Sequence, residues 1–256
     1  MKTGIVAERR RFKESSILFK SDKREGIDAA ISTIRVHRME LETYVALHQE
    51  FRYALSPIAI EVEAPRIVKL IAESTIPFNI GPMAAVAGVL ADLAVEAILN
   101  AGAKIAIVED GGEISASSNE PFTIALHAGK NILSNRIGFQ INPSECPIGV
   151  ATSSATVGHA ISFGEADSVT ALADTAGIAD GAATAICNSV RGKDVEASVQ
   201  KGLEFANKVR NIIRGALIVR GEYVGSIGKI PQLINVKKGL DLSKVLLMEF
   251  ARPESR

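Results

Sequence analysis

The sequence contains no tryptophan, only 5% aromatic residues, and two cysteines among its 256 residues. Because large aromatic side chains are scarce, the core must be built mainly from Ala, Ile, Val and Leu, a composition typical of proteins that mix helices and strands. Cys146 and Cys187 are too few for a disulfide framework or a cysteine-only metal site. They indicate a reducing compartment.

The sequence also lacks net charge, since Lys plus Arg and Asp plus Glu both number 29. A chain without excess positive charge has little to attract nucleic acid or an anionic membrane, so we expect neither as a partner. The local run Arg9, Arg10 and Arg11 is better explained by a solvated N-terminal segment. The first fifteen residues lack the apolar run of a signal peptide, and we therefore expect a cytoplasmic protein.

One apolar stretch, residues 81–102, is long enough to raise the question of a membrane span. Asp92 and Glu96 interrupt it, and burying two carboxylates in hydrocarbon would cost roughly several kcal/mol. We predict a buried helix instead, with Pro82 in its first turn and Gly102 just past its end. Asp92 and Glu96 are four residues apart and share a helix face, which we expect to face solvent.

The periodicity of apolar residues divides the chain into two parts. Residues 11–21 alternate as a strand or hairpin, residues 23–54 predict a long helix broken once, and residues 56–65 alternate as a short strand. Beyond Gly102, strand candidates predominate: KIAIV, ISAS, FTIAL, RIGFQI, PIGVATS, DSVTALA, ALIVRGEYVGSIG, QLINV and KVLLMEF. Residues 178–190 and 195–213 predict helices. Blocks of helices and strands favour an α+β fold with a largely antiparallel sheet, as one domain over residues 1–256 with residues 1–80 packed on the remainder.

The turn after KIAIV carries the first candidate site residues, Gly111, Gly112 and Glu113, directly after Asp110. Paired glycines allow a ligand to approach the backbone and bind its amides, which suits a phosphate or the edge of a flavin. A plain hairpin turn explains the same residues.

The second candidate is the segment from residue 149 to 170, which is rich in small and hydroxylated residues. Its hydroxyl groups (Thr152, Ser153, Ser154 and Thr156) precede Gly158 and His159. Thr152 and Gly158 are candidates for cofactor binding because hydroxyls donate and accept hydrogen bonds and glycine permits close passage of a ligand. Ser153, Ser154 and His159 are candidate catalytic residues, since an imidazole titrates near neutral pH. A structural histidine remains the alternative.

The third candidate is the pair Asp180 and Thr184, which lie four residues apart in a predicted helix. Their oxygens can point the same way and hold Mg²⁺, with waters and phosphates completing the shell. The alternative is an aspartate that stabilises the helix start and a threonine bonded to the preceding turn. Cys146 is a weaker candidate, because a reactive thiol needs an electropositive setting.

These motifs, in this order, resemble the ApbE-like flavin-transferase superfamily. The stretch from Gly81 to Ile114, which ends in AKIAIVEDGGEI, resembles that superfamily's glycine-bearing helix followed by a strand and a GGE or GGD turn. The later segments VATSS, GH, DSVT and IADGAAT resemble its TSG, histidine, SVTV and AD-x-x-x-T series. GPMAAVAG, TSSATVGHAISFG and ADGAAT are closer still to a small subfamily of archaeal and bacterial cytoplasmic proteins. That subfamily is implicated in homocysteine biosynthesis in methanogens.

The resemblance implies sulfur placement on an aspartate-semialdehyde skeleton, together with a redox or sulfur-transfer partner protein. It also implies FAD or FMN and Mg²⁺ as cofactors. The alternatives are an Mg²⁺-dependent FAD:protein FMN transferase and a non-catalytic binding or scaffold module, so enzymatic activity itself is left open. Small alanine-rich helices and strand edges are compatible with a homodimer.

The sequence departs from the transferase pattern at three places. The DPRTG-like loop between the histidine and SVT is missing, because Ser168 comes only nine positions after His159. The lysine of the AKG motif is absent, with Ala87 beside Gly88, and the isoalloxazine-binding segment is not recognisable. The resemblance therefore implies the fold and a ligand pocket more strongly than transfer of FMN to a protein threonine.

Overall fold

The computed structural model describes residues 4–129, 131–154, 163–236 and 246–249. The helices are α1 (Arg24–Leu47), α2 (Gln49–Tyr53), α3 (Arg66–Thr75), α4 (Val86–Asn100), α5 (Ala176–Ser189) and α6 (Val195–Lys208). The strands are β1 (Val6–Phe12), β2 (Ser15–Ser21), β3 (Ile105–Asp110), β4 (Glu113–Ser118), β5 (Phe122–Ala125), β6 (Ile137–Ile141), β7 (Ile148–Ser153), β8 (Ser168–Ala173), β9 (Gly215–Arg220), β10 (Tyr223–Gly228), β11 (Gln232–Asn235) and β12 (Leu246–Glu249).

Nine strands form one large sheet in the order β1-β2-β3-β4-β7-β8-β9-β10-β12. The first eight pair antiparallel, and β12 joins β10 in parallel. Strands that follow one another in the chain are mostly neighbours in the sheet, because short turns connect antiparallel strands most easily. The predicted α+β architecture with a largely antiparallel sheet is confirmed.

The helices cover one face of the large sheet. Helix α4 lies between α1, α5 and the strands β3 and β4, which explains why it is apolar on nearly all sides. Small residues let the α5 and α4 backbones approach closely, since Ala176, Ala179, Ala182 and Ala183 are fully buried. By length and composition alone, residues 82–100 could span a membrane, yet 56% of that window is buried among these elements. Its position is that of a core helix.

The opposite face of the large sheet is covered only in part. A second, three-stranded sheet in the order β11-β6-β5 packs over β4, β7, β8 and β9, with Phe139, Ile141, Leu172 and Leu217 buried between the two sheets. On this face of β1 and β2, Ala7, Arg9 and Lys20 are exposed and Leu18 is partly exposed. The two sheets therefore leave a cleft, which is described below.

Two local predictions are wrong. Residues 58–61 form no strand, and the alternation there arises because Ile58 and Ile60 pack against the cluster of α1 and α3. Asp92 does not face solvent. Its carboxylate accepts hydrogen bonds from the backbone amides of Ala176 (2.9 Å) and Gly177 (2.8 Å) and from the Ser115 hydroxyl (2.7 Å). Glu96 is exposed as expected and pairs with Arg66 at 2.7 Å.

The Asp92 carboxylate thus stabilises the N-terminus of α5 from a neighbouring helix. Burial raises its pKa, and the three hydrogen bonds oppose that rise. We expect Asp92→Ala to lower the free energy of unfolding by about 2 kcal/mol, since it removes a helix cap and leaves the Ser115 hydroxyl unpaired. Thermal unfolding with Glu96→Ala as control measures this. Equal losses in both variants would contradict the capping role.

Candidate functional site

The residues Gly111 and Gly112 form the two-residue turn between β3 and β4. Their φ angles are 72° and 122°, which glycine adopts without strain. The hairpin interpretation accounts for both glycines, and the proposed ligand contact stays a prediction. The turn lies beside β7, because a Cβ added at Gly112 would be 3.8 Å from the carbonyl oxygen of Thr152. The first two candidate segments are therefore neighbours in space.

Strand alternation places the predicted residues on two different faces of the sheet. Glu113 shares a face with Ser115, whose hydroxyl bonds to Asp92 of α4, so Glu113 points toward the helices. Gly112 and Thr152 instead line the cleft between the sheets. The Thr152 and Thr170 hydroxyl oxygens are 2.9 Å apart across the β7–β8 pair. The structure thus separates Thr152 from Glu113, although the sequence grouped them.

On the helix side, three carboxylates lie close enough for their charges to interact: Asp110 at the end of β3, Glu113 at the start of β4, and Asp180 in α5. We call them the carboxylate cluster. Burial is the main cause of a pKa for Glu113 well above its usual value, and the charges of Asp180 and Asp110 raise it further. A cation at this position would offset the cost of burying negative charge and would reduce the repulsion between the carboxylates.

Asp110 is the member with an unsatisfied atom. Its side chain is buried, and its Oδ2 has no hydrogen-bond partner within the part of the chain that the structure describes. Burial raises the pKa of Asp110 to about 6, while the positive charge of Arg38 opposes the rise. A buried carboxylate oxygen without a partner is costly, so a bound cation or a proton on this oxygen would stabilise it.

Asp180 lies in the second turn of α5 and is held by the start of α4. The Gly88 amide donates to Asp180 Oδ2 at 3.1 Å. The contact needs glycine, because a Cβ at residue 88 would be 2.4 Å from the carbonyl oxygen of Ala176. Burial raises the pKa of Asp180 to about 8, with further contributions from Asp110 and Asp92. The hydrogen bond from the Gly88 amide opposes this rise.

Thr184 follows Asp180 by one turn of α5, so the two side chains lie on one face of the helix. Thr184 is partly exposed. Across the described ranges, no group of three or more His, Cys, Asp or Glu side chains has the arrangement to hold a metal ion by itself. Two protein oxygens are nevertheless compatible with Mg²⁺, which usually keeps waters and takes phosphate oxygens as ligands. Magnesium binding by Asp180 and Thr184 stays a prediction.

Several predicted residues cannot be placed. Thr156, Gly158 and His159 lie outside the described residues. Ser153 ends β7 on the helix side of the sheet, since it alternates with the buried Ala151, and Ser154 follows it. The described chain resumes at Phe163, whose amide bonds to Asn188 near the end of α5. The described residues on either side of this gap, Ser154 and Phe163, thus lie beside the sheet and the helix that carry the carboxylate cluster.

Sequence reasoning missed the roles of Gly88, Asp92 and Asp110. The signal for Asp110 was its position at the end of an apolar strand, directly before the candidate residues Gly111, Gly112 and Glu113. Cys146 is half-buried, and burial raises the pKa of its thiol against the opposing charge of Arg214. A raised pKa disfavours the reactive thiolate, so the site gives Cys146 no chemical role.

The chain resembles known proteins over most of its length. A family model described as AbpE bacteria matches residues 10–224. The UPF0280 protein of Methanopyrus kandleri is 39% identical over 88% of this chain and 92% of its own length. The UPF0280 protein of Methanocaldococcus jannaschii is 40% identical over 91% of this chain and 95% of its own.

Two solved structures share the fold. The apo form of the flavinyl transferase ApbE of Pseudomonas stutzeri has a TM-score of 0.56 at 15% identity, covering 88% of this chain and 94% of that one. The ApbE protein of Thermotoga maritima has a TM-score of 0.53 at 15% identity, covering 91% and 97%. At such low identity the likeness concerns the fold alone. The chain therefore belongs to the UPF0280 family and has an ApbE-like fold.

Proposed function

We propose that this protein takes part in the formation of homocysteine, as a cytoplasmic component that helps to place sulfur on an aspartate-semialdehyde skeleton. The role follows from the resemblance of its motifs to the subfamily implicated in that pathway. Homologues of similar length in methanogens support it. The carboxylate cluster is the site at which a ligand would bind.

The chemistry of this conversion defines the partner. An aldehyde and hydrogen sulfide give a thiol and water only when two electrons and two protons are added. Cys146 and Cys187 pack in different core clusters on opposite faces of the large sheet, so they do not form a redox-active dithiol pair. The reducing equivalents must therefore come from a bound flavin or from a redox partner protein, and a purely hydrolytic role would leave the equation unbalanced.

The observation that carries the proposal is the carboxylate cluster itself, with its unpaired Asp110 oxygen and the buried Asp180. Asp110 and Asp180 are buried and Glu113 is partly buried. Acidic groups so close together repel one another and are stable only when protonated or neutralised by a cation. A divalent cation held by Asp180 and Thr184 would neutralise the cluster and attract the phosphate groups of a nucleotide. Such a ligand would lie next to the Ser153–Ser154 end of β7.

Gene deletion in the host tests this role. We expect the deleted strain to require homocysteine or methionine when sulfide is the sulfur source, because the thiol-forming step is lost. Wild-type protein should restore growth, Asp180→Asn should not, and Glu96→Gln, which changes an exposed acid on α4, should restore it fully. Unimpaired growth of the deletion strain on sulfide alone would refute the proposal.

A second candidate, Mg²⁺-dependent FAD:protein FMN transferase activity, is favoured by the placement of Asp180 and Thr184 on one face of α5 beside the start of α4. The purified protein, FAD, Mg²⁺ and a threonine-bearing acceptor peptide should then yield a peptide with the mass of FMN attached. Asp180→Asn should lower the yield at least about tenfold, as expected when a metal ligand is lost. No adduct with the wild-type protein would exclude this activity.

The same experiments distinguish a non-catalytic scaffold from an enzyme. A purified protein without bound flavin, combined with an Asp180→Ala variant that restores growth of the deletion strain, would contradict both enzymatic proposals. It would leave a binding role toward the redox partner.

A further inference from the structure

The cleft between the two sheets lies on the face of the large sheet opposite to the helices and the carboxylate cluster. Its volume is about 730 Å³. Pockets for cofactors and metabolites usually measure about 300–1,000 Å³. One wall is the uncovered part of β1, β2 and β3, and the other is the edge strand β5 with the residues that follow it.

The walls of the cleft are mainly apolar. On the large sheet they consist of Leu18, Ile105, Ile107 and Ile114, and on the smaller sheet of Phe122 and Leu126. Ile107 and Ile114 are only partly buried, although their neighbours in the same strands are part of the core. Apolar side chains left half-covered inside a concave surface are typical of a site that a ligand completes.

The charges in the cleft are not balanced. Arg9 and Glu109 neutralise each other, with 3.1 Å between Arg9 Nη2 and Glu109 Oε2. Lys20 projects from β2 between Ala7 and Ile107, its partners in the adjoining strands. Among the described residues no acidic side chain pairs with it. One exposed ammonium group without an acidic partner among the described residues therefore lies beside the apolar wall.

We propose that this cleft binds a small organic anion, with an apolar ring or chain against Ile107 and Ile114 and a carboxylate, sulfonate or phosphate beside Lys20. The positive charge defines the polar end of the ligand, and the apolar walls define its body. Thr152 and Thr170 lie three and four strand spacings from Lys20, roughly 14 and 19 Å across the sheet. An elongated ligand would reach their hydroxyl groups as well.

This site does not depend on the function proposed above. Its residues face away from Asp180 and Glu113, and the turn at Gly112 separates the two. Binding in the cleft should therefore survive Asp180→Asn, even if that variant loses the function of the carboxylate cluster.

Two fluorescent probes that share an aromatic body test the proposal. Anilinonaphthalenesulfonate carries a negative charge, and N-phenylnaphthylamine does not. We expect saturable binding of both to the full-length protein at one site. Lys20→Met keeps the aliphatic stem but removes the charge, so it should weaken sulfonate binding roughly tenfold and change binding of the neutral probe less than about twofold. Lys193→Met, at an exposed site between α5 and α6, is the matched control.

A second variant tests the location. Ala7 is exposed on β1, lines the cleft and pairs with Lys20 across the strands, so its side chain projects from the same face. Ala7→Trp should fill the space beside Lys20 and abolish binding of both probes while the melting temperature stays near that of the wild type. Sulfonate binding that is unchanged in Lys20→Met, or probe binding that survives Ala7→Trp, would overturn the proposal. So would a stable dimer that excludes both probes and dissociates in Ala7→Trp, because a second copy would then occupy the cleft.

Discussion

Replacing Gly88 with alanine should lower the melting temperature by roughly 6–12 °C, which corresponds to about 3 kcal/mol of lost stability. An added Cβ would be 2.4 Å from the Ala176 carbonyl oxygen, 2.6 Å from its carbonyl carbon and 2.9 Å from Asp180 Cβ. Two of these atoms belong to the backbone of α5 and cannot rotate away. Helices α4 and α5 would have to separate, which would also lengthen the hydrogen bond from the Gly88 amide to Asp180.

Thermal unfolding followed by circular dichroism measures this effect. Gly4→Ala is the matched control, because nothing lies within 4 Å of a Cβ at that position. If Gly88→Ala unfolded within about 2 °C of the wild type, the close packing of α4 on α5 described here would be wrong.

The second large effect concerns the pH dependence of stability. Asp180 has a folded-state pKa of about 8, well above the ordinary value of 3.8 for an aspartate, so folding favours the protonated form. The contribution of Asp180 to the free energy of unfolding is fully present below the pKa of the unfolded state and is lost as the pH rises toward 8. Asp110, with a pKa of about 6, acts in the same direction. Without a bound cation, the wild-type protein should therefore be less stable at pH 8 than at pH 5.

Asp180→Asn should remove much of that dependence. The amide oxygen can still accept from Gly88, while the negative charge and its repulsion of Glu113 are gone. At pH 8 we expect the free energy of unfolding of the variant to exceed that of the wild type by on the order of 2 kcal/mol, or roughly 4–8 °C in melting temperature. At pH 4 we expect little difference.

Melting curves from pH 4 to pH 9 in the presence of a chelator measure this. Glu96→Gln should give a curve parallel to that of the wild type, because Glu96 is exposed. An Asp180→Asn curve as steep as the wild-type curve would show that Asp180 is not the buried titrating group described here.

Much of the fold follows from patterns that involve neighbouring residues. The alternation of KIAIV and ISAS around two glycines predicted the β3–β4 hairpin, and Pro82 and Gly102 marked the ends of the buried helix, which begins as a 3₁₀ turn. The long N-terminal helix is broken once, at His48, as predicted. Alternation failed at residues 56–65 because two prolines and packing against α3 produced the same pattern without strand pairing.

The candidate site was less predictable because its residues are far apart in the chain. The sequence identified Glu113 and Asp180 but could not show that Thr152 points to the opposite face of the sheet. It placed Asp92 in solvent because Glu96, on the same helix face, is polar. The partners of Asp92 are 23 and 84 to 85 residues away, so no local period reveals them.

The sequence alone therefore determined the mixed composition of helices and strands, the glycine turn, and the helix that carries Asp180 and Thr184, because these depend on backbone preferences and on apolar spacing within a few residues. The tertiary structure decided which carboxylates are buried together, that Gly88 holds Asp180, and that a cleft lies behind the sheet. These features depend on contacts between distant segments, where burial and mutual charge alter the properties of each side chain.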